Sequence, residues 1–171
     1  MLFKESYQKC TPITMYLQRL NNYSIKGKVP INWKGKIKYI AIGVAFLYLV
    51  AVFFSLLRSV IGSQDPNIQE TTNRIVKIPL WSLVPLVIGP ILEEILFRKI
   101  VLKKLIVRIG TIWSVLLSSF LFSILHLDIF LFPYFINSVI YSILYLKTND
   151  LKVPILAHII YNFTALTLMF I

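Results

Sequence analysis

The chain contains five long stretches without a charged residue, at 39–57, 78–92, 109–127, 129–146 and 153–171. Four of them are 18 or 19 residues long, close to the roughly 20 residues that an α-helix needs to cross the hydrocarbon of a bilayer. An isolated apolar segment in lipid must satisfy its own backbone hydrogen bonds, which favours a helix for every span. The pattern therefore predicts an all-α fold, a polytopic membrane helix bundle with about five transmembrane helices.

Composition and charge agree with a membrane protein. The chain is 57% hydrophobic, and its mean hydropathy is +0.76, well above the range of ordinary soluble domains. The net charge of +11 lies between the apolar stretches and does not line one face, so we interpret it as membrane-flanking charge and expect no nucleic-acid partner. The expected surroundings are the lipid bilayer, and oligomeric state is not indicated. A single cysteine, Cys10, excludes an internal disulfide framework.

The distribution of Lys and Arg predicts the orientation. Residues 1–38 carry eight basic residues and one acidic residue, and 98–110 carry five basic residues and none that are acidic. The loop at 62–77 is balanced, with two of each. Cytoplasmic loops are enriched in Lys and Arg. We therefore predict a multi-pass protein of the cell membrane with a basic cytoplasmic N-terminal segment at 1–38, followed by a membrane-embedded domain at 39–171.

The second apolar stretch ends in charge. It has only 15 residues, and extending it to a spanning length carries the sequence "GPILEEILFRK" into the membrane. A charge at the centre of a bilayer costs about 2.5–3.5 kcal/mol on insertion scales. Three prolines, Pro79, Pro85 and Pro90, precede the two glutamates and predict a kink or break there. The position of Glu93, Glu94 and Arg98 indicates a functional cluster.

Helix geometry separates the two glutamates. Glu94 and Arg98 are four residues apart, in the acid-before-base order that favours an ion pair on one helix face. Glu93 lies about 140° around the helix from Arg98 at 3.6 residues per turn, so its carboxylate is available for another partner. We therefore interpret Glu93 as the reactive candidate and Glu94 as its structural neighbour.

The remaining polar groups within the spans come in two pairs with the same spacing. His158 and Asn162 project from one face of the last helix, and both can donate hydrogen bonds to an oxygen that becomes negative. Phe122 and His126 share a face of the third helix, so the phenyl ring is expected to pack beside the imidazole. Taken separately, each pair is also what a purely structural helix contact looks like.

Distance along the chain provides a check on depth. If the second and third helices form a hairpin at Gly110, Glu93 is 17 residues from the turn and His126 is 16, so the two groups lie at one level. His158 follows Asp150 by only eight residues, which requires the last loop to lie deeper than the Gly110 turn. The segment at 127–135 must bend or re-enter the membrane.

Three motifs in this order resemble a known group of membrane proteins. "EEILFR" looks like an EExxxR motif, "FSILH" like FxxxH and "HIIYN" like HxxxN. Together they resemble the CPBP group, which includes CAAX prenyl endopeptidases and bacterial Abi proteins linked to bacteriocin processing and self-immunity. The resemblance covers about 79–171, and the chain departs from the family pattern in having Lys99 where a glycine often follows the arginine.

The resemblance implies a role for each matched residue. It implies that Glu93 is the catalytic glutamate and that His126 helps it to activate water. His158 and Asn162 match the pair that stabilises the oxyanion. The supporting positions of the family are matched by Glu94, Arg98 and Phe122.

Two questions stay open at the level of sequence. A metal-free glutamate mechanism is expected, with no cofactor. In the alternative, Glu93, His126 and His158 hold a zinc ion with water as the fourth ligand, although no HExxH-type spacing is present.

The function expected is an endopeptidase acting on a peptide, leader or CAAX-like substrate, linked to bacteriocin processing or self-immunity. The alternatives are a non-catalytic immunity protein on the same scaffold and a small ion-coupled transporter.

Overall fold

The computed structural model describes residues 31–61, 73, 79–128 and 130–168. This part of the chain forms five helices and contains no strand, which confirms the predicted all-α class. The helices are α1 (Trp33–Ile61), α2 (Leu80–Ile109), α3 (Thr111–Ile124), α4 (Phe132–Thr148) and α5 (Lys152–Leu168). Most of the predicted basic N-terminal segment lies outside the described residues, and so does Cys10. The loop at 62–77 also lies outside them, apart from Asn73.

The lengths of the helices differ from the predicted spans. α1 and α2 have 29 and 30 residues and are long and apolar enough to cross a membrane; α1 extends over roughly 43 Å at 1.5 Å per residue. α3, α4 and α5 are shorter, with 14, 17 and 17 residues. Large apolar side chains such as Leu49 and Phe53 on α1 and Trp113 on α3 remain more than 60% exposed. Such a surface is suited to lipid, and the fold is that of a membrane helical bundle.

α2 remains helical through its prolines, so of the predicted kink or break, the break is not found. The helix begins with a 3-10 turn (Pro79–Ser82) and contains two π-helical segments, Val84–Ile88 and Ile95–Leu102. The N–H of Gly89 bonds to the carbonyl of Val84, five residues earlier. A proline has no N–H to donate, so the wider π turn lets the chain pass Pro85 and Pro90 without ending the helix. The acidic pair lies between the two π segments.

An apolar core joins α1, α4 and α5. Its buried members are Ile40, Leu47, Tyr141, Leu144, Val153 and Ala157. Gly43 permits the close approach of α1 to α4, since a Cβ atom at this position would lie 2.6 Å from Leu144 Cδ1. At one end of this core, Lys36 Nζ donates to Asp150 Oδ2 over 2.7 Å.

The contact between α3 and α4 is polar in character. Small hydroxyl and amide side chains are buried along both helices: Ser114, Ser118, Ser119 and Ser123 on α3, and Asn137, Ser138 and Ser142 on α4. Small residues let membrane helices approach closely. Ser118 Oγ also donates to the carbonyl of Phe97 on α2, over 3.3 Å. Polarity is therefore concentrated between α2, α3 and α4.

Two connections between helices bear on the predicted depth of the last loop. Gly110 links α2 to α3 with a φ of +78°, which favours glycine. Leu151, in the loop between α4 and α5, packs against the buried cluster of Leu102, Ile106 and Tyr145. That this loop lies deeper than the Gly110 turn stays a prediction.

The segment after α3 turns sharply. Leu127 adopts a φ of +51°, and α4 begins only five residues later, at Phe132. Asp128 stabilises the turn: one carboxylate oxygen accepts the N–H of Phe130 over 2.9 Å and the other accepts from Arg58 near the end of α1. The predicted bend in 127–135 is therefore a turn tied to α1.

Candidate active site

The predicted ion pair within α2 is present and completely buried. Arg98 Nε lies 3.0 Å from Glu94 Oε2, and neither side chain is exposed. Separating two charges from water is costly unless they are paired and hydrogen-bonded. The four-residue spacing brings the carboxylate and the guanidinium together, as the sequence indicated.

Arg98 also contacts the two neighbouring helices. Its Nη2 donates to the carbonyl oxygen and the hydroxyl of Ser138 on α4, over 3.0 and 3.1 Å. The guanidinium carbon lies 5.1 Å from the ring centre of Phe122 on α3 and 5.5 Å from that of Tyr141 on α4. Cation–aromatic contacts at this range are attractive and stronger in a desolvated setting. Arg98 therefore joins α2, α3 and α4 at one level.

Glu94 links Arg98 to His158, the histidine of the HxxxN motif. His158 Nδ1 lies 3.2 Å from Glu94 Oε1, while the other oxygen of Glu94 faces Arg98. A carboxylate accepts hydrogen bonds only, so we assign the Nδ1 proton to His158. The opposite ring nitrogen, Nε2, then points towards Glu93, with 3.9 Å between Nε2 and Glu93 Oε2.

Glu93 is the accessible member of the group. Its side chain is 35% exposed, whereas those of Glu94 and Arg98 are fully buried and that of His158 is 7% exposed. Glu93 Oε2 is itself shielded and has no hydrogen-bond partner among the described residues. A gap of 3.9 Å between Nε2 and Oε2 is too long for a direct hydrogen bond. The two glutamates thus have different surroundings: Glu94 is buried and paired with Arg98, whereas Glu93 is partly exposed and is not paired with Arg98.

Asn162 binds a carbonyl that α2 leaves free. Its Nδ2 donates to the carbonyl oxygen of Pro85 over 3.0 Å. The residue five positions after Pro85 is Pro90, which cannot supply the N–H that a π turn requires. The amide of Asn162 satisfies this carbonyl and fastens α5 to α2. One of its two N–H groups is used in this way.

His126 joins the group through Phe122. The predicted packing of these two rings is found, with centroids 4.7 Å apart. Phe122 also lies 6.4 Å from the His158 ring, so it stands near both imidazoles. His126 stacks on Tyr134 at 4.2 Å, and its Nδ1 lies 3.1 Å from the carbonyl of Phe122.

The structure thus brings together Glu93, Glu94, Arg98 and His158, with Phe122 adjoining. His126 lies on the far side of Phe122 in this network of ring contacts, and Asn162 lies one turn beyond His158. The roles of all these residues in a reaction remain predictions.

Sequence reasoning missed the contribution of α4. Tyr141 stacks on His158, with ring centroids 4.5 Å apart and an interplanar angle of 19°, and Ser138 holds Arg98. A signal was available: Asn137, Ser138, Tyr141 and Ser142 recur at helical spacing on one face of an apolar segment. In a membrane helix, such a face turns towards other polar groups.

The alternative zinc site requires Glu93, His126 and His158 to lie around one point, with each ligand atom about 2.0–2.2 Å from the metal. Among the residues that the structure describes, no group of three or more His, Cys, Asp or Glu side chains is placed to hold a metal ion. The choice between a metal-free site and a zinc site stays a prediction.

The fold and the site together are those of a membrane helical bundle that encloses a buried carboxylate–imidazole pair. The chain belongs to the family described as type II CAAX prenyl endopeptidase Rce1-like, whose profile matches residues 75–164. This confirms the family predicted from the three motifs.

Two curated relatives support the same family. The chain is 34% identical over 135 residues to "Putative membrane peptidase YdiL" of Bacillus subtilis (strain 168), covering 71% of this chain and 55% of the relative. It is 32% identical over 159 residues to "Membrane-embedded CAAX protease MroQ" of Staphylococcus aureus (strain USA300), covering 84% of this chain and 64% of the relative. The chain thus spans somewhat more than half the length of each. No solved structure matches it significantly.

Proposed function

We propose that the protein is a membrane-embedded endopeptidase that hydrolyses a peptide bond with a water molecule activated by Glu93. The observation that carries this proposal is the chain of contacts from Arg98 through Glu94 to His158, which leaves His158 Nε2 directed at Glu93, the accessible carboxylate. A base near a directed imidazole, in a site largely closed to water, is the arrangement that general acid–base catalysis requires.

In the proposed reaction, Glu93 takes a proton from the water, and the resulting hydroxide attacks the carbonyl carbon of the substrate. His126 assists in holding this water, as the family resemblance implies. The tetrahedral intermediate collapses with cleavage of the C–N bond, and the proton held by Glu93 passes to the leaving amine. The products are a carboxylic acid and an amine.

The oxygen of the tetrahedral intermediate needs hydrogen-bond donors. In its protonated form, the His158 imidazole donates from Nδ1 to Glu94 and from Nε2 into the site. At this stage Glu93 holds the proton taken from the water, so the charges of Glu94 and the oxyanion balance those of Arg98 and the imidazolium. Asn162 retains a second N–H beyond the one given to Pro85. Loss of one such donor typically lowers kcat by about 10²–10³.

No step is routed through a metal ion, because the candidate ligands are not grouped for one. The mechanism that we propose is of the glutamate type, and the chain's own residues provide the base, the donors and the buried counter-charge.

The proposed substrate is a peptide or protein segment at the membrane, either a CAAX-like terminus or a leader of the kind removed in bacteriocin processing or self-immunity. Support comes from the family and from one relative's name, which includes the words CAAX protease.

We also propose that the N-terminus is cytoplasmic and that the protein is multi-pass. The Gly110 turn is flanked by the basic residues Lys103, Lys104 and Arg108, which favours the cytoplasmic side. Lys36, at the start of α1, pairs with Asp150 in the loop before α5, which is consistent with the start of α1 lying at the same side.

The proposal is tested by comparing membranes from cells that produce the wild type or Glu93→Gln. Mass spectrometry of newly formed peptide termini should show cleavage products that are present only with the wild type, and a purified, liposome-reconstituted enzyme should reproduce them with synthetic peptides. Identical terminal peptides in both membranes and in a strain without the protein would refute the protease assignment.

A further inference from the structure

We propose that Tyr141 is a positioning residue that sets the direction of the His158 imidazole through its ring and not through its hydroxyl group; this inference rests on the proposed function. Tyr141 is 1% exposed, and its ring lies nearly parallel to that of His158 at a centroid distance of 4.5 Å. None of the three sequence motifs lies on α4, so no motif predicted this contact.

A hydrogen bond to Glu94 alone does not fix the imidazole. It determines where Nδ1 lies, but the terminal torsion of a histidine side chain is broad and roughly two-fold, and the ring can tilt about the Nδ1–Oε1 direction. The position of Nε2, 3.9 Å from Glu93 Oε2, therefore needs a second constraint. A flat ring stacked at 19° supplies it, because tilting the imidazole would drive it into the phenol face.

The same phenol ring also contacts Arg98, which Glu94 holds through its second oxygen. The guanidinium carbon of Arg98 lies 5.5 Å from the ring centre of Tyr141. Arg98 and His158 are thus connected twice, by the two oxygens of Glu94 and by the ring of Tyr141.

The hydroxyl group takes no part in these contacts. Tyr141 Oη is buried and has no hydrogen-bond partner among the described residues. If the ring alone acts, removing the hydroxyl removes a buried polar atom whose burial is unfavourable and leaves the stack intact. Tyr141→Phe should then retain wild-type kcat, whereas Tyr141→Leu and Tyr141→Met should lose it.

Tyr141 also belongs to the apolar core, so loss of packing needs a control. Leu144 is in the same core cluster and on the same helix, and it is 4% exposed. Leu144→Ala is therefore the matched variant: it creates a core cavity one turn away, without removing a ring from His158. Each variant is compared at a temperature equally far below its own Tm.

The first measurement separates kcat from KM on the synthetic peptides that the wild type cleaves. Tyr141→Leu and Tyr141→Met should lower kcat by about 10- to 100-fold, as misdirection of a reacting group does, with KM changed less than about threefold. Tyr141→Phe and Leu144→Ala should stay within about threefold of wild type. An equal loss of kcat in Tyr141→Phe and Tyr141→Leu would overturn the proposal. A kcat at the wild-type value in both Tyr141→Leu and Tyr141→Met would also overturn it.

The second measurement does not depend on proteolysis. The chain has two histidines, so in a His126→Gln background the ¹⁵N signals of a labelled imidazole report His158 alone. We expect one tautomer with narrow signals in the parent and in Tyr141→Phe, and averaged or broadened ring-nitrogen signals in Tyr141→Leu. Unchanged signals in Tyr141→Leu overturn the positioning role. If no peptide is cleaved by any form, the proposed function fails while these signals still decide the role of Tyr141.

Discussion

Glu94 and His158 are 64 positions apart in the chain, and His158 Nδ1 lies 3.2 Å from Glu94 Oε1. The second oxygen of the same carboxylate pairs with Arg98. Glu94 therefore does more than balance the charge of Arg98. It also holds the imidazole of His158, on α5, in a fixed position relative to α2. We therefore expect substitution of Glu93 to affect catalysis and substitution of Glu94 to affect stability, and the two effects can be measured separately.

Glu93→Gln and Glu94→Gln form a matched pair, since each replaces a carboxylate by an amide at neighbouring positions. Glu93 is 35% exposed, so Glu93→Gln should abolish cleavage while changing the free energy of unfolding by less than about 1 kcal/mol. Glu94→Gln removes the charge beside buried Arg98 and should destabilise the protein by about 3–5 kcal/mol. Peptide cleavage and unfolding in detergent measure the two effects. Equal destabilisation by both substitutions would contradict the assignment.

Arg98→Lys tests whether geometry or charge holds the three helices together. Lysine keeps the positive charge but lacks the planar fork that reaches Glu94 and both oxygens of Ser138. We expect a loss of about 1–3 kcal/mol, measured by chemical unfolding. Ser138→Ala is the companion variant, because it removes the hydroxyl acceptor and leaves the carbonyl acceptor in place. If Arg98→Lys has the same free energy of unfolding as wild type, the contacts between Arg98 and Ser138 do not stabilise the fold.

Asn162→Ala should weaken the attachment of α5 to α2. It leaves the carbonyl of Pro85 without its donor, at a cost of about 1–3 kcal/mol. Thr164→Ala is the control, since within the described part of the chain Thr164 Oγ1 bonds to carbonyls of its own helix, those of Ile160 and Tyr161. Differential scanning of the two variants should show a lower Tm for Asn162→Ala alone. A Tm for Asn162→Ala equal to that of Thr164→Ala would show that the bond to Pro85 is not stabilising.

Asp150, in the loop before α5, should make stability depend on pH. Burial by itself would raise the pKa of Asp150, but hydrogen bonds from Lys36 and the Lys152 N–H, with the charges of both lysines, lower it overall. A carboxyl whose pKa is lowered by folding stabilises the native state above its unfolded value of about 3.9, and the contribution is lost as the pH falls through the folded value.

The expected contribution of the Asp150 charge is below about 1 kcal/mol, because the pair is partly exposed. Asp150→Asn keeps an oxygen for the Lys152 N–H and removes the charge. The stability difference between wild type and Asp150→Asn should be present at neutral pH, shrink below about pH 4 and be smaller in a Lys36→Met background, where only Lys152 remains to stabilise the carboxylate. A difference that persists at pH 2–3 would point to the capping hydrogen bond and not to the ion pair.

Local relationships could be predicted from the sequence because helix pitch alone sets them. The Glu94–Arg98 pair and the Phe122–His126 contact follow from four-residue spacing, and the five helices follow from the lengths of the apolar stretches. The depth of the last loop relative to the Gly110 turn stays a prediction. Of the predicted kink or break in α2, the break is not found, because π turns pass the prolines while preserving the helix.

What only the tertiary structure decided is which side chains meet across helices. The contacts of His158 with Glu94 and Tyr141, and of Asn162 with Pro85, depend on how far each helix is rotated and shifted along its axis. The π segments of α2 change the rotation per residue, so an angle counted at 3.6 residues per turn does not hold there. The sequence by itself determined the class of fold, the family motifs and the pairs within each helix; packing between helices decided the partners of each polar group, because no regular spacing in the chain encodes them.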